Sequence, residues 1–310
     1  MRHLLSSDDL SSEEQAGLVE RALEMKRSRT ATRRILQGSS VGLLFEKPST
    51  RTRIAFEAAV VELGGHPIAL RAQDLQIERG ETLEDTARVI SSYLAAIVIR
   101  TFGQDRIDAV AEAATVPVVN ALSDLEHPCQ ALADIMTVNE RFPNLAKVKL
   151  AYFGDGNNVC HSLLLAGAKA GLKAIEAAVP PGFEPIEPII DRAEAIGKET
   201  GTRITVSNDP FKAVKGARVL YTDVWASMGQ ESEQEKRKGQ FKDFALTQRL
   251  LKEAAPDAIV MHCLPAHRGE EIESEVIDGP ASVVWEQAAN RLPVHKAVLE
   301  WLLGAGRKGR

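Results

Sequence analysis

Short apolar runs alternate with helical stripes along most of this chain. Residues 41–45, 67–70, 96–99 and 116–121 are continuously apolar or nearly so, the pattern of strands buried on both faces. Between them lie amphipathic stretches. Ile54, Ala58 and Val61 fall at i, i+4 and i+7, which predicts a helix from about residue 50 to Gly64-Gly65. Leu83, Ala87, Ile90 and Leu94 form one stripe behind an N-cap at Thr82, with Asp85 in the first turn. Further helices are expected at 12–27, 104–114 and 131–141. After a crossing at residues 144–147 the alternation resumes, with strands at 148–153, 174–179, 203–207, 218–221 and 258–261 and a helix over 285–303. Repeated strand and helix imply α/β architecture with parallel sheets covered on both faces. The expectation is two doubly wound parallel-sheet domains with a crevice between them. Residues 1–143 make the first, completed by a C-terminal helix at about 287–310 that packs back on it, and 144–286 make the second.

Candidate chemistry collects where strands end. Ser49-Thr50-Arg51-Thr52-Arg53 follows the first strand and opens a helix. A helix N-terminus offers free N–H groups and a positive dipole end, the hydroxyls add donors, and a guanidinium pairs bidentately with phosphate. Residues two apart on a helix point roughly opposite ways, so Arg51 is assigned to an anion and Arg53 to a structural ion pair. Arg100 ends the strand at 96–99, where parallel sheets bind ligands, and reads as a ligand contact or a surface ion pair. His127 and Gln130 open the helix at 131–141. An imidazole there donates to a carbonyl oxygen or is satisfied within its turn. Asp223 ends a strand ahead of Ser227-Met228-Gly229, which suits capture of a cation by a closing loop or an ordinary solvated carboxylate. Cys263 follows the last strand in His262-Cys263-Leu264-Pro265 and is a nucleophile, a partner for an amine, or an inert buried thiol. The polar stretch 72–80 has no periodicity and is long enough to reach a ligand or a neighbouring subunit.

Composition removes several classes. A chain of 310 residues with 44% hydrophobic residues can fill two cores. A net charge of -5 without a basic block argues against nucleic acid. No apolar run approaches the roughly 20 residues of a membrane helix, and Asp8, Asp9, Glu13 and Glu14 near the start are unlike a secretory or transit segment. A cytoplasmic location is expected. Three widely spaced cysteines fit a reducing compartment, and zinc held by Cys129, Cys160, Cys263, His127, His161 and His262 lacks any C-x-x-C or H-x-x-x-H pair. Gly154-Asp155-Gly156-Asn157-Asn158 after a strand suggests dinucleotide binding with Glu176 on the ribose. The third glycine of that fingerprint, however, is replaced by Val159.

Ser49-Thr50-Arg51-Thr52-Arg53, His127-Pro128-Cys129-Gln130, Asp223-x-x-x-Ser227-Met228-Gly229 and His262-Cys263-Leu264-Pro265 stand in one order over nearly the whole chain. Together they resemble the aspartate/ornithine carbamoyltransferases, and the Ser-Met-Gly segment is similar to the ornithine-accepting branch. The resemblance implies that carbamoyl phosphate is gripped by Ser49, Thr50, Arg51 and Thr52. It places Arg100 and His127 on the carbonyl oxygen, and Gln130 and the main-chain carbonyl of Leu264 on the carbamoyl amine. Gln76 and Arg291 match further carbamoyl-phosphate positions. Asn158, Asp223, Ser227 and Met228 match positions that hold L-ornithine. Cys263 matches a thiol beside the reacting amine and the carbamoyl group, and Arg100, His127 and Cys263 are the expected catalytic residues. A cis Leu264-Pro265 bond, no metal or organic cofactor, and a homotrimer with the Gln76 loop reaching a neighbour complete what the resemblance implies.

Overall fold

The computed structural model describes residues 1–28, 31–226 and 234–304. It divides into two compact units, Met1–Met136 with the stretch from Asn290 onward, and Thr137–Ala289.

In the first unit, β1 (Ser40–Phe45), β2 (His66–Arg71), β3 (Ala96–Arg100) and β4 (Val118–Leu122) form a parallel sheet in the order β2-β1-β3-β4. Helices α1 (Ser12–Arg27), α2 (Thr50–Glu62), α3 (Leu83–Ser91), α4 (Gln104–Ala113) and α5 (Pro128–Arg141) accompany it, and α5 carries the chain into the second unit. All of β3 and β4 is buried, as their largely apolar runs require, with Asn120 the polar residue inside β4. Edge strand β2 alternates between half-buried and exposed positions instead. The strand order reverses between β1 and β3, so the turns leaving those two strands lie side by side at the switch point of the sheet. The ladder continues one step past β1, where the Glu46 amide donates to the Arg100 carbonyl at 2.9 Å. The β3–β4 register slips between Ile99 and Arg100, which pairs Arg100 with Leu122. Such a bulge re-aims a side chain at a strand end.

The second unit has β5 (Lys149–Phe153), β6 (Ala174–Ala178), β7 (Arg203–Ser207), β8 (Val219–Thr222) and β9 (Ile259–His262) in the parallel order β7-β6-β5-β8-β9. Its helices are α6 (Asn158–Lys169), α7 (Glu187–Thr200), α8 (Pro210–Val214), α9 (Gln234–Phe241), α10 (Gln248–Leu251), α11 (Ser274–Ile277) and α12 (Val284–Ala289). Every residue of α6 is buried, a largely apolar helix sunk in the core. Here the order reverses around β5, which brings the turn after β5 next to the ends of β8 and then β9.

The helix expected over 285–303 is two helices, α12 and α13 (Arg291–Leu303). Pro293 has no N–H to give the carbonyl of Ala289, so the helical ladder is interrupted, and Pro293 falls in the first turn of α13 where no N–H is needed. Helix α13 belongs to the first unit and packs on α1 and α2. The polar stretch after β2 forms two short 3-10 turns, Ala72–Asp74 and Gln76–Arg79. Among the described residues no helix is long and apolar enough to cross a membrane.

Candidate active site

In the first unit the site is built at the ends of β1 and β3. Ser49 takes the N-cap position of α2 with extended backbone, yet its side chain makes no cap hydrogen bond. A serine that served only as a cap would place its hydroxyl on the first-turn amides. Thr50 and Arg51 are exposed, and Arg51 has no ion pair among the described residues. Arg53 pairs with Glu57 one turn on at 2.9 Å, the structural role expected of it. The turn before Ser49 is fixed from behind. Glu46 bonds Arg106 and Thr101, while Lys47, 4% exposed, pairs with Asp124 and lies 4.5 Å over the Phe102 ring.

Behind the exposed arginine lies a buried polar cluster. Arg100, His127, Gln130, Thr52 and Arg291 are all at most 8% exposed. Arg291, the first residue of α13, donates from Nη1 to Gln130 Oε1 at 2.7 Å and from Nη2 to Thr52 Oγ1 at 2.8 Å. Gln130 Nε2 in turn donates to Asp134 Oδ1 at 2.8 Å. The guanidinium therefore ties α2, α5 and α13 together at one point. Burial, then the positive charges of Arg291 and Arg100, hold the His127 imidazole well below its usual pKa, so it is neutral at physiological pH. A neutral imidazole still donates one N–H to an oxygen without adding a third charge to the cluster. Cys129, one residue before Gln130, is fully buried with its thiol pushed up to about 12 and its Sγ 3.6 Å from the Asn120 carbonyl, the inert state. Gln76 is exposed, and its Oε1 accepts from Arg79 at 3.4 Å.

In the second unit the site is built at the ends of β5, β8 and β9. Asp223 is 4% exposed, and each carboxylate oxygen is held by one neighbour. Cys263 Sγ donates to Oδ1 at 2.8 Å, and Asn157 Nδ2 donates to Oδ2 at 2.9 Å. Asn157 is also the N-cap of α6, its Oδ1 accepting from Val159 N and Cys160 N at 3.0 and 3.2 Å. The sequence reading leaves Asn157 out and takes its neighbour Asn158, which is the first residue of α6 and nearly buried. The available signal was an Asn-Asn pair at a helix start, where the first is the capping residue. With its proton pointed at Asp223, Cys263 is arranged as a thiol donor and not as a free thiolate nucleophile. Arg237 of α9 donates to Asp155 Oδ2 and to the Trp225 carbonyl, both at 2.8 Å, and braces the chain that leads from Asp223. Ser227 and Met228 lie outside the described residues.

The turn after β9 is equally constrained. His262 Nδ1 accepts from Leu264 N at 2.8 Å, its Nε2 faces Glu271 Oε1 at 3.2 Å, and both side chains are fully buried. Leu264 has φ of 62°, unusual for a branched side chain, and the Leu264–Pro265 bond is cis, as the resemblance implies. Asp223, His262 and Cys263 bring possible ligand atoms within 4.8 Å of one another, as do His267, Glu270 and Glu271. In the first set both imidazole nitrogens already have partners, so the arrangement is a hydrogen-bond network. Cys129 and Cys160 enter neither set, and the zinc grouping weighed from the sequence is not formed among the described residues. Glu176 is buried in β6 and paired with Lys149 at 2.8 Å, which removes it as a ribose ligand.

The chain is similar to known proteins over nearly its whole length. The family described as "Aspartate/ornithine carbamoyltransferase, carbamoyl-P binding domain" matches residues 2–140, and its "Asp/Orn binding domain" matches residues 146–302. An ornithine carbamoyltransferase from Parafrankia is 57% identical over 305 residues, 97% of this chain and 96% of the relative. The solved structure of ornithine carbamoyltransferase from Pyrococcus furiosus superposes with a TM-score of 0.94 at 50% identity, covering 99% of this chain and 98% of that one. That of the anabolic enzyme from Campylobacter jejuni gives 0.93 at 38%, covering 98% of this chain and 100% of the other. The chain belongs to the aspartate/ornithine carbamoyltransferase family.

Proposed function

We propose that this chain transfers the carbamoyl group of carbamoyl phosphate to the side-chain amine of L-ornithine, giving L-citrulline and phosphate, in arginine biosynthesis. The observation that carries the reading is the buried cluster of Arg100, His127, Gln130, Thr52 and Arg291 behind an exposed Arg51 at the start of α2. The α2 N-terminus, the hydroxyls of Ser49, Thr50 and Thr52, and the Arg51 fork take the phosphate. Thr52 Oγ1 already accepts from Arg291, so the bond it offers a ligand is its O–H.

Attack by the amine builds negative charge on the carbamoyl oxygen. Arg100, neutral His127 and Thr52 meet that charge, each such donor typically worth on the order of 3 kcal/mol. The carbamoyl amine is held by the second lone pair of Gln130 Oε1 and by the Leu264 carbonyl. A free amine with a pKa near ~10.4 is neutral in only roughly four parts in ten thousand at pH 7. Asp223, with Cys263 on one oxygen and Asn157 on the other, is placed to receive an ammonium, and the departing phosphate accepts the proton released on transfer. Asn158, Ser227 and Met228 are assigned to the amino-acid end of ornithine. Gln76, exposed in its turn, is assigned to carbamoyl phosphate in a neighbouring subunit of a homotrimer, in the cytoplasm. The two family domains and the ornithine names of the relatives support the substrates and the reaction.

The test is a citrulline assay with purified protein, carbamoyl phosphate and ornithine, run beside aspartate as acceptor. Citrulline without carbamoyl-aspartate is expected. Binding of phosphate with no product from either acceptor would leave a non-catalytic ligand-binding protein on the same fold. Light scattering at several concentrations tests the trimer.

A further inference from the structure

Histidine 295 has no part in the reaction as set out above, yet it sits one helical turn behind Arg291 and is fully buried. Its ring lies against Phe56 with centroids 3.7 Å apart and planes 9° from parallel. Its Nε2 is 3.4 Å from Arg291 Nε, an N–H that only donates, so Nε2 is the acceptor and the ring proton is on Nδ1. Arg291 and His295 stand at i and i+4 on α13, as Thr52 and Phe56 do on α2. The pairs interlock, with Arg291 on Thr52 and His295 on Phe56.

We infer that His295 is a positioning residue for carbamoyl-phosphate binding, accepting the Nε–H of Arg291 and so setting the direction of that guanidinium's Nη fork. This rests on the reading of the Arg291 cluster as the carbamoyl-phosphate site. The guanidinium is planar, so fixing Nε along with the bonds to Gln130 and Thr52 fixes its plane. Phe56 sets the plane of the imidazole, and hence the direction of its lone pair. Burial first, then the charge of Arg291, lower the His295 pKa well below the ordinary value. The acceptor lone pair is therefore present at neutral pH. A protonated ring would lose it and repel Arg291.

Two substitutions separate positioning from packing. His295→Phe keeps an aromatic ring on Phe56 and removes the acceptor, while His295→Gln keeps an acceptor and removes the ring. The wild-type citrulline assay comes first, and its failure would count against the function and not against His295. In an active protein, KM for carbamoyl phosphate and the affinity for inorganic phosphate are measured with each variant, alongside its melting temperature. Expected for His295→Phe is a loss of about tenfold in both affinities with ornithine KM unchanged and melting close to wild type. Expected for His295→Gln is carbamoyl-phosphate KM within about threefold of wild type and a lower melting temperature. Wild-type affinities in His295→Phe, or affinities that track melting temperature across the two variants, would overturn the inference. If His295→Phe does not fold, His295→Met removes the acceptor in a flexible side chain and is judged by the same results.

Discussion

Two buried histidines held neutral make stability depend on pH in a direction that can be worked out. His127 and His295 both have pKa values lowered well below 6.5, burial being the largest cause in each and Arg291 the next. An unfolded chain takes up a proton on each near pH 6.5, and the folded protein refuses it. Stability is therefore full above about pH 7 and falls as pH drops through 6.5, until the folded pKa is reached. Between pH 7.5 and 5.5 each unfolded imidazole gains close to one pH unit of protonation free energy, about 1.4 kcal/mol. The two together remove up to a few kcal/mol, the more the further each folded pKa lies below the range, a large part of an ordinary net stability of roughly 5–15 kcal/mol. His295→Gln removes one of the two groups, so its loss over the same range is expected to be about half as great. Urea unfolding at pH 7.5, 6.5 and 5.5, at one fixed protein concentration, measures both losses. His3, also lowered by burial, contributes equally to both proteins and cancels in the difference. Asp257 and Asp278, lowered by Arg218 and Arg268, titrate below the range. Equal losses in wild type and variant would refute the claim that His295 is buried neutral, and a flat wild-type curve would refute it for both residues.

Arg51→Ala is expected to weaken carbamoyl-phosphate binding by about ten- to a hundredfold. Because Arg51 is exposed and without an ion pair among the described residues, its melting curve should move little. Asn157→Asp keeps the cap acceptor of α6 but turns an oxygen toward Asp223 where an amide stood, so ornithine KM should rise about tenfold or more while carbamoyl-phosphate KM holds. Steady-state kinetics with each substrate varied in turn will show whether the two respond separately. Gly156→Ala places a Cβ 2.2 Å from Pro185 N and 2.5 Å from Phe183 O, both main chain, and should cost about 2 kcal/mol or more, read as a drop in urea midpoint. Cys263→Ser retains a donor for Asp223 and should lower turnover without abolishing it. Complete loss, with trapping of a carbamoylated Cys263 in the wild type, would instead make the thiol a nucleophile.

The sequence was most informative where one physical rule dominated. Strands β1, β3 and β5 were legible because they are largely buried on both faces and leave near-continuous apolar runs. Helix α3 announced itself through Thr82, whose hydroxyl does accept from Asp85 N. Boundaries were lost where a backbone property outweighed periodicity. The apolar stripe runs through residues 285–303, but the missing N–H of Pro293 breaks the ladder at Asn290. Helix α5 begins at Pro128, before its apolar face does, because proline is well suited to a first turn. Single arginines and aspartates at strand ends could be listed but not given roles. Whether Arg100 faces a ligand depends on the register slip beside Ile99, which no local pattern encodes. Asn157 was missed because it acts on Asp223, 66 residues away, and His295 because the plane of its ring is set by Phe56 on another helix.

Those two missed residues show how the charged groups of each unit are oriented. Crowding a third and fourth positive charge beside Arg100 and Arg291 would raise the affinity for a phosphate dianion only at the expense of the fold, since buried like charges repel in a medium of low dielectric. The first unit avoids this by using imidazoles that stay neutral. In the proposed reaction His127 is the donor for the developing oxyanion, and His295 is the acceptor for the arginine. The second unit solves the opposite problem with an amide and a thiol. Asn157 and Cys263 orient the carboxylate of Asp223 without bringing a cation of their own, so in the proposed reaction its charge is kept for an incoming ammonium. Neutral donors and acceptors orient the charged groups in both units, which in the proposed reaction keeps those charges available for the substrates.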